Sequence, residues 1–161
     1  MAGIDKTKLE RYRKGELKFT QIFDLNPAQM AAVIATGHNF FTEGRLEEAR
    51  KIFEGLAIID SKYPYIHTML GAIYQKMKQH DKALLRYTLA LKLHPNDINA
   101  LTNRGEIYLL LGKFLEAAGD LKRVLDLDPQ NKNPVANRAR LLSLLAAEAL
   151  QKVRQERFTG K

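Results

Sequence analysis

Glycine recurs at Gly37, Gly71 and Gly105, at a spacing of 34 residues, and other residues travel in step with it. Ala49, Ala83 and Ala117 keep the same interval, as do Phe40, Tyr74 and Tyr108, and Pro95 with Pro129. A period of this length marks a stacked array. One helix-turn-helix unit is copied along the chain, and each copy buries its apolar face against the next. The repeat therefore predicts an all-α solenoid, and a surface that holds another polypeptide in place of an active site.

Helix boundaries are punctuated in the sequence. Asn26-Pro27 starts a helix, with Asn as the cap and Pro where no hydrogen bond is lost. That helix is expected to reach about Thr42, turn at Glu43-Gly44-Arg45, and be followed by a second from about Leu46 to Ile59. The second pair starts at Pro64, turns near Lys78 to Asp81 and ends near Leu93. The third starts after Pro95-Asn96-Asp97, turns at Gly112-Lys113 and ends near Leu127. Within a unit, Gly71 lets two helices approach, Tyr74 fills the gap beside it, and Ala83 is the small residue facing the contact. Gly105, Tyr108, Ala117, Leu121 and Pro129 repeat this arrangement. The first unit has Gly37, Phe40, Ala49 and Phe53, with Ser61 where the proline belongs.

A final helix, about Val135 to Gln155, has no hairpin partner. Its stripe of Leu141, Leu142, Leu144, Leu145, Leu150 and Val153 is expected to cover the open end of the stack. Upstream, residues 5–17 read as a short charged helix, and Phe19, Ile22, Phe23 and Leu25 as an apolar segment against the first unit. The predicted organisation is an N-terminal helical extension (1–26), three repeats in 27–131 (about 30–63, 64–97 and 98–131) and a C-terminal capping helix with a basic tail (132–161). The extension could pair two copies into a homodimer or fold back over the first repeat.

Composition removes several classes of function. The chain has 161 residues, enough for one domain with a sizeable core. It has no cysteine, hence no disulfide, thiol nucleophile or thiolate metal site. No signal-peptide core or membrane-spanning run is evident, and the chain reads as cytoplasmic. The net charge of +8 lies at the ends: residues 1–18 carry +3, residues 130–161 carry +5, and the segment between sums to zero. Such tails can meet nucleic acid, anionic lipid or an acidic protein. The simpler reading is that Arg138, Arg140, Lys152, Arg154 and Arg157 solvate the outer face of the last helix. Nucleic acid is disfavoured because aromatic residues are not interleaved with the basic ones.

Other chemistry is sparse. His38, His67, His80 and His94 have no metal-ligand spacing, and His67 reads as a packing residue. Glu47, Glu48, Asp126 and Asp128 read as solvated, and no carboxylate pair is placed for acid–base work. No phosphate loop or nucleophile motif occurs. The expectation is a non-enzyme without metal or cofactor.

The glycine, alanine, aromatic and proline pattern resembles the tetratricopeptide repeat, in three copies in register. The resemblance implies a right-handed superhelix of three helix-turn-helix repeats. Residues 38–74, beginning HNFFTEGRLEEARKIFEGLAIID, together with the overall layout, also resemble the class II chaperones of type III secretion. Those bacterial proteins hold membrane-inserting translocators in the cytoplasm before export. The chain departs from them in being basic, with a pI near 9.7. Where that family has groove aromatics it has Ile34, His38 and Phe41.

The resemblance implies that the first helix of each pair lines a concave groove. By repeat register the groove residues are Ile34, His38, Phe41 and Thr42, then Tyr65, Thr68, Met69, Ala72, Gln75 and Lys76. From the third unit they are Asn99, Thr102, Asn103, Glu106, Leu109 and Leu110. Apolar pockets between hydrogen-bonding groups would suit an extended segment that buries aliphatic side chains while Asn and Gln satisfy its backbone. The cationic clamp with which some tetratricopeptide adaptors grip an acidic C-terminus is missing, because the matching positions are Ile34, His38, Met69, Asn99 and Asn103. The expected function is a bacterial cytoplasmic chaperone holding an extended segment of an export client, such as a secreted translocator-like protein. The alternative is an adaptor docking folded partners in a larger bacterial assembly.

Overall fold

The computed structural model describes Thr7, Glu10, Arg11 and residues 14–16, 26–130 and 132–159, with side chains as far as Glu156. Most of the extension expected over 1–26 lies outside the described residues. Among those described, seven helices follow one another and no strand occurs: α1 (Pro27–Thr42), α2 (Leu46–Ile59), α3 (Pro64–Lys76), α4 (His80–Leu93), α5 (Ile98–Leu110), α6 (Phe114–Leu127) and α7 (Pro134–Thr159). Helices α1/α2, α3/α4 and α5/α6 pack as hairpins, and each hairpin packs on the next. Helix α7 closes the series against α6 and α5. The fold is the all-α stack that the repeat predicts.

Local chemistry sets the helix ends. Asn26 and Gln29 form a reciprocal capping box, each side chain accepting the other's backbone N–H at 2.9 Å. The hairpin turns share one geometry, in which the N–H groups of Arg45, Gln79 and Lys113 donate to the carbonyls of Phe40, Tyr74 and Tyr108. The residue before each donor has a positive φ: Gly44 at 78°, Lys78 at 58° and Gly112 at 71°. Two of these are glycine, which adopts that conformation freely, and Lys78 carries a Cβ into it. Because the donor Gln79 completes this turn, α4 starts at His80, one residue before the expected end of the turn.

Close approach within the hairpins depends on the repeating glycines. The nearest side-chain atoms across it belong to larger residues than the alanine, although the Ala117 carbonyl lies 3.6 Å from a Cβ built on Gly105. A Cβ built on Gly71 would lie 2.5 Å from Tyr87 Cε1, one on Gly37 2.9 Å from the Phe53 ring, and one on Gly105 3.0 Å from Leu121 Cγ. Phe53, Tyr87 and Leu121, again 34 residues apart, are fully buried, as are Ala49, Ala83 and Ala117. A pair of ionic contacts ties the later helices together. Arg104 on α5 holds Asp120 on α6 through two N–H groups at 2.7 Å each and donates to Thr88 on α4 at 3.1 Å.

Two expectations at the C-terminal end are overturned. Asp128 is buried, not solvated: its carboxylate accepts the N–H of Lys132 at 3.0 Å, the N–H of Asn133 at 3.2 Å and the Arg140 guanidinium at 3.1 Å. The α6–α7 turn folds around it. The leucine stripe is likewise not what covers the stack. Ala136, Ala139 and Ala146 are fully buried, and Leu142 packs against the core. Leu141, Leu144 and Leu145 are 66%, 61% and 55% exposed, and Val153 36%. Small side chains bring α7 close to its neighbours, and that rotates the leucines outward.

Candidate peptide-binding groove

The first helices of the hairpins and the start of α7 border a cleft of about 730 Å³. Helix α1 contributes His38 and Phe41; α3 contributes Tyr65, Thr68, Met69, Ala72, Gln75 and Lys76. The third hairpin adds Asp97, Asn99, Asn103 and Glu106, and α7 adds Pro134, Val135 and Arg138.

Eleven of the residues nominated by register are brought together here: His38, Phe41, Tyr65, Thr68, Met69, Ala72, Gln75, Lys76, Asn99, Asn103 and Glu106. Three are not. Thr102 is fully buried inside the stack, and Ile34 and Leu109 are half-buried against the core. Each lies on a first helix, but on a flank turned toward packing. Thr42 and Leu110, exposed at their helix ends, also stay out of the cleft. Register missed Asp97, Pro134, Val135 and Arg138. A signal for the last three was present: Ala139 follows Gly105 by the repeat interval, so α7 continues the series of first helices.

Part of the lining is apolar. Phe41, Tyr65, Met69 and Ala72 contribute to it, with Tyr65 edge-on to Phe53 at 6.4 Å between ring centroids. Burial, and then the nearby Tyr63, push the Tyr65 hydroxyl above its ordinary pKa, so it stays a neutral donor. Lys76 Nζ lies 4.7 Å from the centre of the Phe41 ring, within range of a cation–π contact.

The polar part of the lining is wired internally. Gln75 is the node: its Oε1 accepts the Tyr87 hydroxyl at 2.8 Å, and its Nε2 donates to Glu106 at 2.8 Å. Burial raises the Tyr87 pKa, which keeps that hydroxyl protonated. Asp97 accepts the Thr68 hydroxyl at 2.6 Å with one oxygen, and with the other caps α5 through the N–H groups of Asn99 and Ala100. Arg138 donates to Asn103. The expectation that Asn and Gln side chains stand ready for a ligand backbone is thereby narrowed. Gln75 and Asn103 are already engaged, and Asn99 is the amide with no side-chain partner among the described residues. Two cations, Lys76 and Arg138, face two carboxylates, Asp97 and Glu106, so the cleft is electrically balanced.

Residues 70–144 match the family model described as tetratricopeptide repeat. Chaperone protein SicA of Salmonella typhimurium is 34% identical over 88 residues, which cover 55% of this chain and 53% of SicA. Matches to three other proteins span 9% to 38% of their lengths, so the chain corresponds to only part of the relatives it matches. Among solved structures, PcrH in complex with the chaperone-binding region of PopD superposes with a TM-score of 0.70 at 23% identity, over 77% of this chain and 95% of that one. The first repeat domain of Spaghetti (RPAP3), bound to the HSP90 peptide SRMEEVD, gives 0.70 at 24% identity, over 79% of this chain and 97% of that one. At these identities the two structures establish the fold alone. Among the described residues no helix is long and apolar enough to cross a membrane. Residues 70–144 thus match the tetratricopeptide repeat, the 34-residue period and the all-α stack extend that fold along the described chain, and the chain resembles the chaperones of type III secretion.

Proposed function

We propose that this chain is a non-catalytic protein-binding module, and that it acts as a chaperone holding an extended segment of an export client in the cleft between α1, α3, α5 and α7. The observation that carries this reading is the mixed lining of the cleft. Phe41, Tyr65 and Met69 can bury aliphatic side chains, and Asn99 can meet a backbone group. The volume is in the range of sites that enclose a small ligand or a few side chains. Similarity to SicA, and a fold shared with PcrH, which binds a segment of PopD, support a client of that kind. The balanced charge argues against a peptide chosen for its terminal carboxylate, which needs uncompensated cations. The carboxylates in the cleft are tied to Thr68 and Gln75, an arrangement suited to holding the groove and not to proton transfer. Within this reading the repeats are the binding unit, and the cytoplasm, where a client must be held before export, is the place of action.

The test is co-purification of the tagged chain from its native organism at moderate salt, with mass spectrometry of what remains bound. One stoichiometric, apolar, exported protein, lost from the soluble fraction when the chaperone is absent, is the expected result. Binding to a synthetic segment of that client should fall about tenfold or more in Phe41→Ala and Tyr65→Ala, because truncating an anchor in a contact centre costs about 1–2 kcal/mol or more. A set of folded proteins whose solubility is unaffected would replace the chaperone with an adaptor. Unchanged affinity in both variants would move the site off the cleft.

A further inference from the structure

We propose that the outward face of α7 pairs with the same face of a second copy of this chain, antiparallel about a two-fold axis near residue 143. Repeat register shows that this face is unusual. Ala139, fully buried, stands one interval after Gly105, which places α7 as the first helix of a fourth unit. Leu141 then falls at the position of Ile73 and Ile107, both fully buried in the stack, yet it is 66% exposed. No second helix follows α7 among the described residues to cover it. Leu144 and Leu145 extend the apolar surface along the same side.

The sequence of that face selects the occupant. Arg138, Leu141, Leu145 and Glu148 are spaced by three, four and three residues, so they form one stripe along the helix. All four are exposed. Laid antiparallel on a copy of itself about residue 143, the stripe sets Leu141 against Leu145 and Arg138 against Glu148, each pairing made twice. Lys152, next on the stripe, falls opposite Pro134, so no like charges meet. A parallel pairing would stack Arg138 on Arg138 and Glu148 on Glu148. Self-complementarity under a two-fold is what an isologous dimer interface requires. Arg138 already donates to Asn103, and a guanidinium has five N–H groups, so it can serve both partners.

The experiment is sedimentation equilibrium of the full chain and four variants, with circular dichroism to confirm the helices. The wild type is expected to approach twice its 18.3 kDa mass as concentration rises to about 100 μM. Leu141→Glu with Leu145→Glu should raise the dimer dissociation constant at least about tenfold, since each places a charge in an apolar contact. Glu148→Arg should weaken pairing, and so should Arg138→Glu. The two exchanged together should restore it, which general stickiness of exposed leucines would not do. Should the double leucine variant fail to fold, the charge exchange decides alone. A monomer at every concentration overturns the proposal. So does a dimer insensitive to the leucines, as pairing through residues 1–25 would give, or a charge exchange without recovery.

Discussion

Replacing the repeating glycines one at a time tests how the stack is held together, because similar substitutions should give opposite results. Alanine at any helix-interior glycine gains about 1 kcal/mol of helix propensity. What differs is the space around the new methyl group. At Gly71 it would lie 2.5 Å from Cε1, 2.6 Å from Cδ1 and 2.9 Å from Cζ of Tyr87. Relieving that contact requires the ring to retreat by most of an ångström. Tyr87 has nowhere to go, being fully buried with its hydroxyl fixed on Gln75 at 2.8 Å. Overpacking of this kind typically costs about 1–3 kcal/mol, and a rigid ring belongs at the upper end. Gly71→Ala should therefore be destabilised by about 1–2 kcal/mol after the propensity gain. At Gly105 the nearest atoms are Leu121 Cγ at 3.0 Å and Cδ2 at 3.1 Å, on an aliphatic side chain that can shift by a few tenths of an ångström. The two effects should nearly cancel there. At Gly119 nothing lies within 4 Å, and the full gain should appear.

Thermal melting followed by circular dichroism reads the series, at about 2–4 °C per kcal/mol for a chain of this size. The expected order is Gly119→Ala above wild type, Gly105→Ala near it, and Gly71→Ala several degrees below. Tyr87→Leu gives the second hairpin the residue that the third carries at Leu121. In that background Gly71→Ala should lose most of its penalty, a coupling of about 1 kcal/mol or more in a double-mutant cycle. A Gly71→Ala protein as stable as Gly105→Ala, or an equal penalty with and without the Tyr87 ring, would refute the argument that this contact limits helix approach.

At the α3–α4 turn, Lys78→Gly should raise the melting temperature by a few degrees, because glycine accepts the 58° φ that costs an L-residue about 1 kcal/mol. A lower melting temperature would show that the Lys78 side chain contributes more than its backbone loses. Acid should act through Asp128. Burial works to raise its pKa, but the N–H groups of Lys132 and Asn133 and the Arg140 guanidinium outweigh it, and the carboxyl is held below its ordinary value. Its stabilising contribution is then complete above about pH 4, the range of an unfolded carboxylate, and is lost as pH falls through the lower folded value. Asp128→Asn should melt earlier at neutral pH, and the gap to wild type should narrow between about pH 4 and pH 2. A gap constant with pH would assign the effect to packing.

The helices were legible because punctuation and period agree. Pro27, Pro64 and the Gly44 and Gly112 turns mark boundaries whose chemistry is local, and the interval carries them from one unit to the next. Most of the cleft lining was legible for the same reason, since equivalent positions on α1, α3 and α5 face the same way. The failures arise where neighbours, not spacing, decide. Thr102 looks like Thr68 in register, but it is fully buried on the helix that α7 packs against, whereas Thr68 lines the cleft. Arg138 enters the cleft from a helix that reads as a cap. Asp128 gathers donors that only the folded α6–α7 turn brings within reach. In α7 the leucines drew attention as the apolar residues, whereas the closest packing uses the smallest ones.

The hydrogen bonds of Gln75 make the cleft floor and the tightest helix crossing a single mechanical part. A group that draws Glu106 away takes a partner from Gln75. Displacing Gln75 removes the acceptor of the Tyr87 hydroxyl, on the ring that sits against Gly71. Occupancy of the cleft beside Glu106 would thus be felt by a buried ring, through Gln75 one turn of helix from Gly71. The ring resonances and the amide protection of α3 and α4 should register it before any change in outline does.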